Sequence, residues 1–181
     1  MEYMEHYMEM STTWRHSRII TTLSGEILNL LRKKEIHALQ EECALVHWGK
    51  QSGRDFKMLV DIDELHDIDD FVLNVIDDLE YVQPDFLFFK NNKFIGNKRE
   101  TRIAGAPDLI AEVWSKGNSN IEREFKTDLY SSSPLTEHWH IEQDSNNVIC
   151  YLGKERLKDQ SLTEVLKTLG GIEFDLKYLA L

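Results

Sequence analysis

The chain has 181 residues, 41% of them hydrophobic and 10% aromatic, and a formal net charge of −11. That size suits one domain spanning residues 1–181 with a sizeable core, and the composition excludes a disordered polyelectrolyte. No apolar run approaches the ~20 residues of a membrane span, and the acidic opening MEYMEHYMEM is unlike a basic leader, so the expectation is a cytoplasmic protein with no membrane partner.

Residues 1–10 alternate Met, Glu and aromatics without a period and read as a mobile arm or a short contact in a homodimer. From Thr13 to about Leu31 the spacing predicts a helix, with Ile19, Leu23, Ile27 and Leu30 as an apolar ridge. His16 falls one turn before Ile19, on the inward side, either as a core or cap residue or as a neighbour of the active site. ECALVHW (42–48) and FKMLVDI (56–62) are apolar runs separated by a turn-rich GKQSGRD, the pattern of a hairpin. Glu26, Glu41 and Glu42 are early acids available as a further metal ligand. Cys43 and Cys150 match no metal or redox spacing and read as buried thiols.

Residues 61–80, DIDELHDIDDFVLNVIDDLE, hold nine acids and no Lys or Arg. The apolar positions recur at helical spacing, which predicts an amphipathic helix with a solvated acidic face. The acidity is therefore concentrated. Without these nine acids the net charge of −11 would be −2, which softens the objection that an acidic chain binds nucleic acid poorly.

The stretch from Tyr81 to Tyr130 carries the chemistry. YVQPDFLFF and GAPDLIAEVWS read as strands too buried to alternate, and NIEREFKTDLY as a helix with Glu122, Lys126 and Tyr130 on one face. Carboxylates on strands beside a lysine suit metal-dependent phosphodiester hydrolysis. Magnesium or manganese needs oxygen ligands, takes one or two carboxylates and leaves room for phosphate and water. Asp85 and Glu112 are the candidate ligands, with the Val113 carbonyl as an addition, and Lys126 is the candidate cation; its competing reading is a surface lysine paired with Glu122. Asp108 shares a strand face with Glu112 but lies about 13 Å away, so it is expected to cap the strand. Lys90, Lys93, Lys98, Arg99 and Arg102 fall between the two strands. Lys98, Arg99 and Arg102 are the candidate DNA contacts, against the alternative of a solvated loop.

These residues resemble the Uma-type putative restriction endonuclease family of the PD-(D/E)XK nuclease superfamily. The resemblance rests on PD before an apolar strand, aPDLxxEVxS, KxxxY, a downstream ExW and the Arg15-His16 pair, and it covers about two thirds of the chain. It implies a restriction-endonuclease-like α/β (α+β) core, a mixed central sheet flanked by helices, and cleavage of DNA. The superfamily signature ends in acid-x-Lys, which would put lysine at 114; Trp114 stands there. The resemblance implies that the lysine has migrated to the next helix, as Lys126, with Glu122 and Tyr130 orienting it and His16 drawn towards the site. Glu122, Pro134-Leu135 and His138 stand where the family usually has Asp, Gly-Val and Tyr.

Beyond that helix, EHWHI (137–141) and residues 148–152 read as paired strands around a DSNN turn. Leu162–Leu169 reads as a short helix ended by Gly170-Gly171. No phosphate loop, dinucleotide fingerprint, serine elbow or Cys/His cluster occurs. The expected order is helix, three antiparallel strands, helix, strand, with strand 108–114 central. Two functions fit: a metal-dependent endonuclease, or a catalytically inactive nuclease fold that binds protein through residues 61–80.

Overall fold

Helix α1 runs from Trp14 to Lys33. Ile19, Leu23 and Ile27 recur every fourth residue on it and are fully buried, with Ile20 beside them. The computed structural model describes residues 14–33, 45–47, 55–57, 81–90, 94–96 and 102–181. The expected arm at 1–10, the acidic helix at 61–80, and Glu41, Glu42, Cys43, Lys93, Lys98 and Arg99 lie outside the described residues.

In chain order the strands are β1 (Leu45–His47), β2 (Asp55–Lys57), β3 (Tyr81–Val82), β4 (Phe86–Phe89), β5 (Phe94–Gly96), β6 (Arg102–Gly105) and β7 (Leu109–Trp114). Helix α2 (Asn120–Ser131) follows, then β8 (Glu137–Glu142), β9 (Asn147–Leu152), β10 (Glu155–Arg156), β11 (Gln160–Ser161), β12 (Val165–Lys167), β13 (Glu173–Asp175) and a 3₁₀ turn at Lys177–Leu179. The main sheet has the order β1-β4-β7-β8-β9, with β10 and β11 both on the outer edge of β9. β1, β4 and β7 are antiparallel neighbours. β7 and β8 are parallel, joined by α2 as a βαβ crossover.

Two sequence expectations give way here. The runs at 42–48 and 56–62 do not pair as a hairpin: β1 joins β4, while β2 lies in a second sheet of order β3-β2-β6-β5. Short apolar runs specify strands but not partners, which depend on the edges the rest of the fold leaves open. The stretch 162–169 is not helical either. Ser161 and Thr163 bind each other and the local backbone, Gln160 clamps the N–H and C=O of Lys167, and residues 165–167 pair with 173–175. Short polar side chains that capture backbone groups compete with helix formation. Gly171, at φ 80°, then makes the turn.

The sheet is covered on both faces, which is why its central strands do not alternate in hydrophobicity. Ile19, Leu23 and Ile27 of α1 pack with Phe86, Phe88, Leu109, Ala111, Val113, Trp139 and Phe174 on one face. The ring of Phe174 meets Phe86 and Trp139 edge-on at 6.4 and 5.6 Å. On the other face Leu87, Phe89 and Ile110 pack against Tyr130 of α2 and against Val82 and Ile103 of the second sheet. Each such fully buried large side chain contributes about 1.5–3 kcal/mol. Odd-numbered residues of β7 therefore face α1 and even-numbered ones face α2. Glu112 and Trp114 are even.

Candidate active site

Register brings the first two candidates together. Phe86 is opposite Ala111 in the antiparallel β4–β7 ladder, so Asp85, one residue before β4, falls opposite Glu112 and on the same face. Its Oδ2 accepts the Val113 N–H at 2.8 Å. The same oxygen lies 3.1 Å from His16 Nε2, which α1 delivers from the opposite side of the sheet end. Arg15, the residue before, points a helical step away and donates to the carbonyls of Gln143, Ser145 (3.3 Å) and Leu179 (2.9 Å). One residue of the Arg-His pair thus anchors the helix and the other reaches Asp85.

Glu112 is fully buried and both its oxygens are held from α2. Tyr130 donates its hydroxyl to Oε1 at 2.5 Å, and Lys126 Nζ donates to Oε2 at 3.0 Å. Residues 126 and 130 are one turn apart, so both aim at one strand position. The sequence places Tyr130 to orient the Lys126 ammonium; its hydroxyl instead binds the Glu112 carboxylate. Glu122 is a second, looser partner of Lys126 at 3.7 Å and is 40% exposed. The Lys126 side chain is only 13% exposed. The reading of Lys126 as a surface lysine is thereby corrected, because the helix face that carries it is pressed on the sheet. Ser119 caps α2 by accepting the Glu122 N–H at 3.1 Å.

The electrostatics split the two acids. Burial pushes the Glu112 carboxyl up to about 7, assisted by the charge of Asp85 and opposed by Lys126 and Tyr130. Burial would raise Asp85 as well, but the hydrogen bond and charge of His16, the Lys126 ammonium and the Val113 N–H hold it below the ordinary carboxylate value. Burial works against the Lys126 ammonium, yet Glu112, Asp85 and Glu122 raise its pKa above the usual lysine value. The same surroundings push the Tyr130 phenol well up, burial first and the Glu112 charge second.

Asp108 does not join this centre. Asp108 Oδ2 accepts the Lys90 N–H at 2.7 Å, and its backbone links Phe88 and Glu137, so it ties together the ends of β4, β7 and β8. Glu26 is half-buried on α1. Arg102 lies in β6, and its side chain, with Lys98 and Arg99, lies outside the described residues. Among the described residues no group of three or more His, Cys, Asp or Glu side chains is gathered for a metal.

A second layer was not read from the sequence. Trp114 lies two residues after Glu112 with its ring under α2: Lys126 Nζ is 5.4 Å and the Arg123 guanidinium 5.1 Å from the ring centroid. Arg123 also forks onto Glu142, at 2.6 and 3.3 Å. The Trp114 indole donates to His140 Nδ1 at 3.0 Å, His140 Nε2 lies 3.2 Å from His138 Nδ1, and His138 Nε2 lies 3.1 Å from the Gly153 carbonyl. Burial lowers His138 to about 4 and His140 to about 3, the latter with help from His138 and the two cations. Strand alternation carried the signal: His-x-His in EHWHI places both rings on the face shared by Glu112 and Trp114.

A family model described as Uma2, putative restriction endonuclease, matches residues 68–176, more than half of the chain. The chain belongs to this family. Uma2 membership places it among nucleases. The solved structure of a putative nuclease belonging to DUF820 from Anabaena variabilis ATCC 29413 superposes with a TM-score of 0.60, at 13% identity, covering 93% of this chain and 83% of the other. That likeness supports the fold, which is of the mixed α+β, restriction-endonuclease-like kind. No curated protein matches the chain. Among the described residues no helix is long and apolar enough to cross a membrane.

Proposed function

We propose that this Uma2 protein is a magnesium- or manganese-dependent endonuclease that hydrolyses phosphodiester bonds in DNA. The observation that carries the reading is Lys126 Nζ at 3.0 Å from the buried Glu112 carboxylate, with Asp85 opposite Glu112 on the same sheet face. Two carboxylates are what a magnesium site takes from a protein, the other positions going to water and phosphate. Burial first, and the neighbouring Asp85 charge with it, raises Glu112. A buried carboxylate beside a second one favours a further positive charge, and two carboxylates are donors that suit a divalent cation. When bound, such an ion neutralises phosphate charge and lowers the pKa of its water.

The chain's own residues supply the rest. Asp85 stays ionised at neutral pH, held by His16 and the Val113 N–H. Glu112 releases its proton near pH 7, and Tyr130 keeps one of its oxygens fixed. Lys126 retains its proton at Nζ and presents a preorganised charge where negative charge develops on the phosphate. Glu122, more exposed, screens the outer side of that ammonium. Lys98, Arg99 and Arg102 are assigned to the DNA backbone on their sequence position alone.

The test is nicking of supercoiled DNA in manganese, together with calorimetric titration of the metal. The parent should bind manganese and nick DNA, Asp85→Ala should lose both, and Lys126→Met should bind metal while nicking about 10²-fold more slowly or worse. A parent that binds manganese yet leaves DNA intact, or a Lys126→Met protein that nicks at the parent rate, overturns the reading.

A further inference from the structure

Donor and acceptor rules fix the direction of the buried chain that ends on Trp114. An indole N–H only donates, so His140 Nδ1 is the acceptor and carries no proton. A carbonyl only accepts, so His138 Nε2 carries its proton towards Gly153. With both imidazoles neutral, His140 Nε2 must then donate to His138 Nδ1, the atom 3.2 Å away. His138 Nε2 also has the Ser131 hydroxyl at 3.5 Å, a looser contact that leaves this assignment in place. No other neutral tautomer pair satisfies all three bonds of the chain. Tyr151 stacks on His138 at 4.8 Å with an interplanar angle of 9°, and Tyr130 meets it edge-on at 5.9 Å. Both histidine rings are packed against each other and against Tyr151. The indole they hold is fully buried, and its π face lies beneath two cations that point from adjacent turns of α2.

We infer that Trp114 is a positioning residue of the site, its indole locked by the His140–His138–Gly153 chain so that its π face seats the Lys126 ammonium against Glu112. An ammonium on a four-carbon stem has many rotamers, and Glu112 alone leaves several of them open. An aromatic face attracts the same ammonium without neutralising it and without competing for its hydrogen bonds. The charge stays whole and its direction is fixed. Arg123 occupies the neighbouring part of the ring, and its fork onto Glu142 prevents it from taking the place of Lys126. The catalytic consequence rests on the nuclease reading; the seating of Lys126 does not.

The experiment therefore has two readouts, the first on the metal-free full chain and the second on the manganese-loaded one. In the first, nuclear magnetic resonance follows the Lys126 ε-methylene protons, the Trp114 indole proton and the His140 ring nitrogens. The parent should show ring-current-displaced ε protons, a slowly exchanging indole proton, and an unprotonated His140 Nδ1. Trp114→Phe should retain part of the displacement and Trp114→Leu should lose it. His140→Leu, which leaves the indole ring in place, should speed indole exchange and reduce the displacement, and it decides the matter if Trp114→Leu does not fold. A protonated His140 Nδ1, or a Lys126 signal unchanged in His140→Leu, overturns the proposal. In the second readout, His140→Leu should lower kcat for DNA nicking roughly tenfold, between the sizes of an exposed and a desolvated cation–π contact, with KM unchanged and Trp114→Phe intermediate. An unchanged kcat per folded molecule overturns the catalytic part. A parent with no nicking at all removes the nuclease reading, and the resonance readout still decides whether Trp114 seats Lys126.

Discussion

Tyr130 donates its phenol hydrogen to Glu112 Oε1 at 2.5 Å, and both residues are buried between α2 and the sheet. Because Lys126 already occupies Oε2, removing the hydroxyl leaves Oε1 in a place water does not reach. Tyr130→Phe should lower the unfolding free energy by about 1–3 kcal/mol, the usual cost of an unsatisfied buried acceptor. Urea titration at pH 8, where Glu112 is ionised, is the measurement. A loss under a few tenths would mean that water enters to replace the phenol.

The raised Glu112 carboxyl gives a signed pH dependence. Its value is about 7 in the fold against 4.5 ordinarily, so between those limits the native state holds a proton that the unfolded chain has released. Stability contributed by Glu112 is complete below pH 4.5 and is lost as pH rises through 7. His138 and His140 act oppositely: lowered from 6.5 to about 4 and about 3, they lose stability as pH falls below 6.5. In chelator-treated protein, Glu112→Gln should make the stability slope between pH 4.5 and 7 more positive by up to about 1.4 kcal/mol per pH unit, one proton's worth. Parallel curves for parent and variant would show that Glu112 titrates normally.

Within Tyr81–Tyr130 the strand at 109–114 and the helix at 120–131 are legible because their signals are local. The division of YVQPDFLFF between two sheets as β3 and β4 is not, and neither are strands β5 and β6 in the connection. Strand register sets Asp85 opposite Glu112, and helical spacing aims Lys126 and Tyr130 at one point. Partner choice was not legible. The runs at 42–48 and 56–62 looked alike and entered different sheets, since pairing depends on which edges the rest of the fold leaves open. Residues 162–169 carry a helix-like spacing of leucines, but Ser161, Thr163 and Gln160 capture the backbone first. Tyr130 was assigned to Lys126 because helical spacing gives a face and not a hydrogen-bond partner. Trp114 was read for the charge it lacks, whereas its ring face and N–H are what the fold uses.

Lys126 and Glu112 are a pair that neither partner can leave cheaply. With the carboxylate fully buried, Lys126→Met leaves an uncompensated charge at alkaline pH, for which about 3 kcal/mol is a typical cost. The carboxyl escapes by keeping its proton, so the penalty should shrink at pH 6 and grow towards pH 8.5. Adding Glu112→Gln to Lys126→Met should restore most of the stability at pH 8.5. If the double variant is no more stable than the single one, the loss comes from packing of the lysine stem and not from the orphaned charge.

Arg15 fixes α1 to the far end of the molecule through the carbonyls of Gln143, Ser145 and Leu179. A planar fork spreads its donors towards several separated acceptors in a fixed geometry, whereas the three donors of an ammonium radiate from one atom on a flexible stem. Arg15→Lys should therefore destabilise by about 1.5–3 kcal/mol, the scale of hydrogen bonds to a charged group, and hydrogen exchange should rise at Lys177–Leu181. A lysine variant with parent-like protection there would show that the C-terminal turn is held by its own packing.

Gly153 and Gly171 separate backbone strain from steric conflict. Both have positive φ, 51° and 80°, where an L side chain costs about 1–2 kcal/mol. A Cβ at Gly171 would meet nothing within 4 Å, whereas at Gly153 it would lie 2.9 Å from Pro134 Cα and 3.1 Å from the Ser133 carbonyl oxygen. Those are backbone atoms just ahead of β8, and Gly153 N–H is itself bonded to Thr136 at 3.0 Å, so neither side yields easily. Gly171→Ala should cost about 1 kcal/mol and leave the site untouched. Gly153→Ala should cost clearly more and move the carbonyl that His138 donates to, loosening the Trp114 indole proton in exchange measurements. Equal destabilisation by the two variants would mean that the β8 approach shifts freely, and that the buried histidine chain is not braced at its Gly153 end.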